Sequence, residues 1–377
     1  MPLDTLEFRT SLQKLLVGLI LILVPLTVFG FYVTLQGENH VRQASGENFR
    51  ALTLNAAEST SEFIADSVRD VSLIANAPGP MQAVAQSNRQ YEKLSPEQAL
   101  VRITGIDQNW EAPQSDRLSA EILTSDLARQ LRRQRELDPS LLKITVSDKA
   151  GAIVAATDRP AHYAQMDRDF WQAVSASGRG AIRISDLRYD DQSHMYYVSV
   201  AYPILQEGTG RFIGAVTATV NMSPLFAELH RRQIGRSGRL LLVREDGTVI
   251  EAQGITPSMQ LKSEEYAAIH DALGSVRGRG AGYLYATLSN GELYLIGFAD
   301  TALKDAYPNL PWIILASQEA REITGPIHST TIFALLVMIL ALLVLSLLAA
   351  YIFEHRKQEY EDIETPDDKN KLHPIAV

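Results

Sequence analysis

The chain has 377 residues, a formal net charge of −9, 46% apolar residues and no cysteine. High apolar content at moderate charge excludes an intrinsically disordered chain, and acidity spread along the sequence argues against nucleic-acid binding. Without cysteine there are no disulfides, no thiolate nucleophile and no cysteine-ligated zinc.

In chain order, the first feature is a run of nineteen residues without a charge, Leu15–Val33. A helix crosses the hydrocarbon core of a bilayer with roughly 20 apolar residues, so residues 15–34 read as a transmembrane span. Pro25 is tolerated in such a helix. The run is long for a secretory leader and no A-x-A site follows it, which favours an uncleaved anchor. Ile332–Phe353 is a second charge-free run, of twenty-two residues, and places a second span at 330–353. Arg9 and Lys14 precede the first run; His355, Arg356 and Lys357 follow the second. Basic flanks stay in the cytoplasm. The expectation is a two-pass protein of the cell inner membrane. Residues 1–14 and 354–377 would then be cytoplasmic, and the main domain periplasmic or extracellular.

Glu47–Ala77 has neither proline nor glycine. Ile64, Val68, Val71 and Ala75 recur at helical spacing, with Leu52, Ala56 and Phe63 forming a similar stripe earlier. Residues 35–77 therefore read as a long helix, ended by Pro78-Gly79-Pro80. Its stripe packs on its own domain or pairs with a second copy in a homodimer. Ala99–Trp110 reads as a buried strand or short helix. Asp116–Asp138 reads as one amphipathic helix, with Leu118, Ile122, Leu127 and Leu131 inward.

Strand signals follow. Leu142–Ser147 and Ala152–Ala156 flank a turn at Asp148–Gly151. Phe170–Ser177 is helical. Ala181–Ile184, Tyr196–Ile204 and Phe212–Asn221 are strands, the last two joined by Glu207–Gly210. The same order then recurs: strands Leu240–Arg244 and Thr248–Glu251, a helix at Ser263–Leu273, and strands Gly282–Leu288, Glu292–Phe298 and Trp312–Ser317. Asn290-Gly291 supplies a hairpin turn. The repeat, at a period of about 100 residues, is too long for a solenoid. It implies an α/β (α+β) fold of two tandem modules, 78–225 and 226–328, each an antiparallel sheet with helices on one side.

Local sequence carries a resemblance. Val146–Val154, Arg168–Val174, Val198–Pro203, Phe212–Val216, Gly235–Ile250 and Pro311–Ala320 are similar, in order and spacing, to the double Cache (PAS-like) sensor family. The resemblance implies extracytoplasmic sensing, with a small molecule held in the membrane-distal module, 78–225. One subset of the family binds amino acids through Arg-x-Trp-Tyr, then Tyr-x-Asp, then a later Asp. Here Arg168 stands at the arginine, and Phe170 and Trp171 replace the aromatic pair. Asp190 fits the first aspartate, Arg188 stands at the tyrosine, and Thr219 stands at the last aspartate. Tyr163 would join the pocket wall. One anchor for an ammonium is lost and one positive charge is gained, which points to an anionic, carboxylate-like ligand on Arg168 and Arg188.

No G-x-S-x-G, phosphate loop or H-E-x-x-H occurs, so neither catalysis, a metal nor a cofactor is expected. His162 and His194 have no partner at ligand spacing. The charged, proline-broken segment 354–377 reads as a disordered tail with no output module. Two readings follow. The first is a sensor that signals through a separate cytoplasmic or membrane protein. The second is an adhesion, scaffold or assembly subunit built on the same fold.

Overall fold

The structure is a computed structural model and describes residues 12–176, 180–190, 193–232, 234–252, 261–276 and 280–363. The chain divides into two units, Met1–Ser45 with Arg321–Val377, and Gly46–Ala320.

The first unit is helical. It takes the start of α1 (Leu12–Ala75) and nearly all of α10 (Ala320–Ile363). Leu21, Ile22, Phe29 and Phe31 on α1 and Leu336, Leu340, Leu343 and Leu347 on α10 are exposed. Among the described residues, no helix is long and apolar enough to cross a membrane. Both charge-free runs fall partly on side chains outside the described set. Helix α10 continues to Ile363, into the segment that the sequence marks as a tail. Residues 354–363 contain neither proline nor glycine and are rich in Glu, Lys, Gln and Arg, which are good helix formers. Residues 364–377 lie outside the described residues.

In the second unit, the rest of α1 forms a spine. Ile64, Val68, Val71 and Ala75 are buried, as are Thr53, Ala56, Ala57 and Thr60. Thr53 and Thr60 return their hydroxyls to the carbonyls of Phe49 and Ala56, at 3.0 and 2.7 Å, so neither hydroxyl is orphaned against the core. Ser61 donates to the Thr301 carbonyl at 2.5 Å. Helix α1 stops at Ala75, and Pro78-Gly79-Pro80 opens α2 (Pro78–Arg89), because proline is well suited to a first helical turn. Ala99–Trp110 resolves as α3 (Pro96–Gln108), started by a Ser95/Gln98 capping box. The single helix expected over 116–138 is two, α4 (Asp116–Thr124) and α5 (Asp126–Leu137). Ser125 leaves helical geometry, and its hydroxyl accepts from the Ala128 amide at 3.1 Å, capping α5.

The first sheet contains β1 (Leu141–Asp148), β2 (Ile153–Ala156), β3 (Arg183–Ile184), β4 (Arg188–Asp190), β5 (Met195–Leu205) and β6 (Phe212–Asn221), with α6 (Asp169–Ser175) between β2 and β3. Its order is β2-β1-β6-β5-β3, with β4 on β5. After α7 (Ser223–Arg231) come β7 (Arg239–Arg244), β8 (Val249–Ala252), α8 (Glu264–Val276), β9 (Ala281–Thr287), β10 (Leu293–Asp300), α9 (Leu303–Ala306) and β11 (Trp312–Glu319). The second sheet runs β8-β7-β11-β10-β9, the same antiparallel path as the first. Strand β4 and helices α7 and α9 are too short to have been anticipated from periodicity.

In the turn between β7 and β8, Asp246 accepts from the Thr248 amide at 2.9 Å and from Lys262 at 2.8 Å. Chiefly through the Lys262 hydrogen bond, its carboxyl is held down to about 2, against an ordinary 3.8. A depressed carboxyl binds fewer protons in the folded than in the unfolded chain. It therefore stabilises the fold above 3.8, and the gain is lost as pH falls toward 2. Both partners are exposed, so the gain is small. In a carboxyl NMR titration Asp246 is expected near 2 and, in Lys262→Ala, closer to 3.8. A midpoint at 3.8 in the unaltered protein would remove this role for Lys262.

Candidate functional site

The two sheets share a path but not a filling. Residues paired directly across an antiparallel ladder share a face. In the second sheet Arg239 faces Ser317, Leu241 faces Leu315, and Ile296 and Phe298 continue that face on β10. Helix α8 covers it with Tyr266 and Ile269, forming an apolar cluster. At its edge Glu265, 1% exposed, accepts from Arg239 at 2.5 Å, from Ser263 at 2.8 Å and from Ser317 at 3.0 Å. The β1–β2 and β7–β8 pairings place Lys143, Thr145 and Ser147 where the second sheet has Arg239, Leu241 and Val243. Likewise Thr219, Thr217 and Ser199 stand where it has Ser317, Leu315 and Ile296. At these positions the first sheet is polar where the second is mostly apolar; Ala201 and Ala215, on the same face, pack under Phe170 and Trp171.

Ser199, on this face, lines a cavity of about 780 Å³, within the range that takes small molecules. Its outer wall is the segment between β2 and α6. Trp110 Nε1 donates to the Pro160 carbonyl at 2.7 Å. Asp107 accepts from the amides of Tyr163 and Ala164 at 2.6 and 3.0 Å. The Gln165 amide donates to the Gly151 carbonyl at 2.8 Å. The segment ends at Arg168, the N-cap residue of α6. Opposite stand Arg183 of β3, Ser185 and Asp186 in the β3–β4 link, Arg188 of β4 and Ser199 of β5, with Asn309 from the α9–β11 loop.

The charge around this cavity is unbalanced. Arg168 Nε lies 3.8 Å from Asp167, whose side chain is 73% exposed. Arg183 donates to the neutral Oδ1 of Asn309 at 3.0 Å. Arg188 is exposed and has no ion pair among the described residues. Asp186 is committed elsewhere, accepting from Arg244 at 2.7 Å and from the Leu187 amide at 2.7 Å.

Of the seven residues singled out from sequence, the structure brings Arg168, Phe170 and Arg188 together on this cavity. The others do not line it. Thr219 lies on the same sheet face, paired with Ser199. Asp190 accepts from Ser193 at 2.8 Å and lies 3.9 Å from Lys143. Trp171 packs edge-on to Phe212, with its Nε1 buried and unpartnered among the described residues. Tyr163 is the clearest correction. Asp107 grips its amide, and its ring turns inward to lie 5.4 Å from Trp110. Burial, with Tyr91 and Asp148 nearby, pushes its hydroxyl far above the ordinary tyrosine range. His162 and His194 also have partners, Asp107 at 3.5 Å and Tyr189 at 3.1 Å. Sequence reasoning did not single out Arg183, Ser185, Ser199 or Asn309. Among the described residues no group of side chains could hold a metal ion.

A second cavity, of about 560 Å³, adjoins through Arg188 and is lined by Tyr189, Tyr196, Arg244 and Glu251. Burial raises the Glu251 carboxyl against the opposing pull of His230, 2.9 Å away.

Two antiparallel sheets of one topology on a single long helix, the first with an open polar face, define a tandem-sheet ligand-binding domain. The family model dCache_1, Cache domain, matches residues 37–327. The chain belongs to the double Cache family of sensor domains. Among solved structures it is similar to the sensory domain of the Campylobacter jejuni chemoreceptor Tlp3, at 12% identity and a TM-score of 0.50, covering 76% of this chain and 98% of that one. It is also similar to the ligand-binding domain of the Pseudomonas fluorescens chemoreceptor CtaA in complex with L-isoleucine, at 13%, 0.47, 77% and 98%. A third is the ligand-binding domain of the Pseudomonas aeruginosa amino acid chemoreceptor PctB in complex with L-Arg, at 16%, 0.42, 74% and 96%. No curated protein matches the chain.

Proposed function

We propose that this protein is a membrane-anchored receptor that binds a small anionic, carboxylate-type molecule over its first sheet and signals through a separate protein. The observation that carries the reading is the cationic balance of the cavity. Arg168, Arg183 and Arg188 face it, while Asp186 is neutralised by Arg244. Guanidinium groups pair with carboxylates through two parallel hydrogen bonds. An α-amino acid would also need an acceptor for its ammonium, and Thr219 stands where the amino-acid-binding pattern has an aspartate. Membrane anchoring is supported by the charge-free runs Leu15–Val33 and Ile332–Phe353 and by the exposed apolar side chains that α1 and α10 carry there. In this reading residues 78–225 form the ligand-binding module, residues 226–328 the membrane-proximal one, and both termini are cytoplasmic.

The test is a thermal-shift and calorimetric screen of the full chain in detergent against small carboxylates, amines and amino acids. A ligand at 100 times its dissociation constant adds about 2.7 kcal/mol. A saturable shift is expected from a carboxylate and none from an amine. Arg168→Ala should weaken binding by roughly ten- to a hundredfold, since a hydrogen bond to a charged group is worth about 1.5–3 kcal/mol. Tight amine binding, or an Arg168→Ala variant that binds carboxylate unchanged, would defeat the proposal.

A further inference from the structure

We propose that the ligand is a two-headed dianion, a dicarboxylate. Arg183, held by Asn309 of the second sheet's loop, would meet its second acidic group. This rests on the reading of the cavity as the ligand site and goes beyond it in charge and in residues.

Charge gives the first argument. Three guanidinium groups line the cavity, and of its two carboxylates only Asp167 is not matched by Arg244. A net positive charge of about two remains, of which a monoanion would compensate half. Placement gives the second. The arginines come from three elements: Arg168 starts α6, Arg183 is in β3 and Arg188 in β4. A cavity of about 780 Å³ is large for a compact dianion such as phosphate, and arginines on separate elements suit a ligand with two separated heads.

Asn309 gives the third. Its Oδ1 accepts from Arg183 at 3.0 Å, and its Nδ2 donates to the Ile184 carbonyl at 3.0 Å. A neutral amide fixes the direction of the guanidinium without cancelling its charge. Aspartate at 309 would make the same contact and remove the charge. Asn309 lies in the loop that leads into β11, the central strand of the second sheet. A ligand on Arg183 therefore bears on both sheets.

The experiment is calorimetry on the full chain at pH 7.5 with malonate, succinate, glutarate, butyrate, inorganic phosphate and L-alanine. One of the three dicarboxylates is expected to bind at least tenfold more tightly than butyrate. Arg183→Gln keeps a donor for Asn309 but loses the charge. It should abolish that advantage, lowering dicarboxylate affinity by a larger factor than butyrate affinity. Asn309→Ala should lower dicarboxylate affinity by a larger factor than butyrate affinity, a split that general destabilisation would not produce. Butyrate binding as tightly as every dicarboxylate would overturn the dianion and leave the anion receptor standing. Phosphate binding tightest would overturn the two-headed ligand. Binding of L-alanine alone, or of none of these, would overturn both readings.

Discussion

Replacing Arg239 with methionine is expected to lower the unfolding free energy by about 3–5 kcal/mol, the usual cost of leaving one member of a buried ion pair without its partner. Glu265 is 1% exposed, and Arg239 meets it through two nitrogens, at 2.5 and 2.6 Å. Ser263 and Ser317 still donate to it in the variant, but two hydroxyls do not replace a counter-charge. Glu265→Leu should cost less, because the guanidinium it abandons is 36% exposed and is solvated where it stands. The double variant should cost less than the sum of the two, since it leaves no buried charge. Urea unfolding of the four proteins reads all of this. A loss under 1 kcal/mol for Arg239→Met would mean that water reaches Glu265.

The same pair shows how far the sequence could be read. Its duplication was legible because alternating apolar residues and turn signals mark strands locally. Ala152–Ala156 and Thr248–Glu251 announce the same hairpin twice, and the sheet orders agree. The site was legible only in part. Arg168 and Arg188 stand in recognisable local patterns and reach one cavity. Tyr163 is in the right segment, yet the backbone grip of Asp107, 56 residues earlier, turns its ring the other way. Asn309 meets Arg183 across 126 residues, and no local pattern signals such a contact. The contrast between Thr217 and Leu315, or Ser199 and Ile296, also has no meaning until strand registers pair the positions. Short-range chemistry was readable, whereas pocket membership depended on which strands lie side by side.

Trp110 tests whether fold and site are joined through the outer wall of the cavity. Its side chain is 2% exposed and packs among Ile103, Ile122, Ile153 and Tyr163. The Arg159 guanidinium lies 5.4 Å from its ring centroid, and its indole nitrogen donates to Pro160 at 2.7 Å. Truncation to alanine removes ring and hydrogen bond together and should cost about 3–5 kcal/mol. Trp110→Phe keeps most of the buried area, and its stability loss should be about 0.5–1.5 kcal/mol, the usual net worth of a hydrogen bond, because the Pro160 carbonyl is part-buried. Pro160 and His162 line the cavity, and the same segment ends at Arg168. Freeing that carbonyl loosens the wall that aims the arginine. The Phe variant should therefore remain folded, with an unchanged far-ultraviolet spectrum, yet bind its carboxylate about tenfold more weakly, chiefly through faster dissociation. Arg183 sits on the opposite wall and is held by Asn309, so the preference for two acidic groups over one should survive. If Trp110→Phe binds as tightly as the parent, the hydrogen bond to Pro160 serves stability alone. The wall would then be set by Asp107 and its two amides.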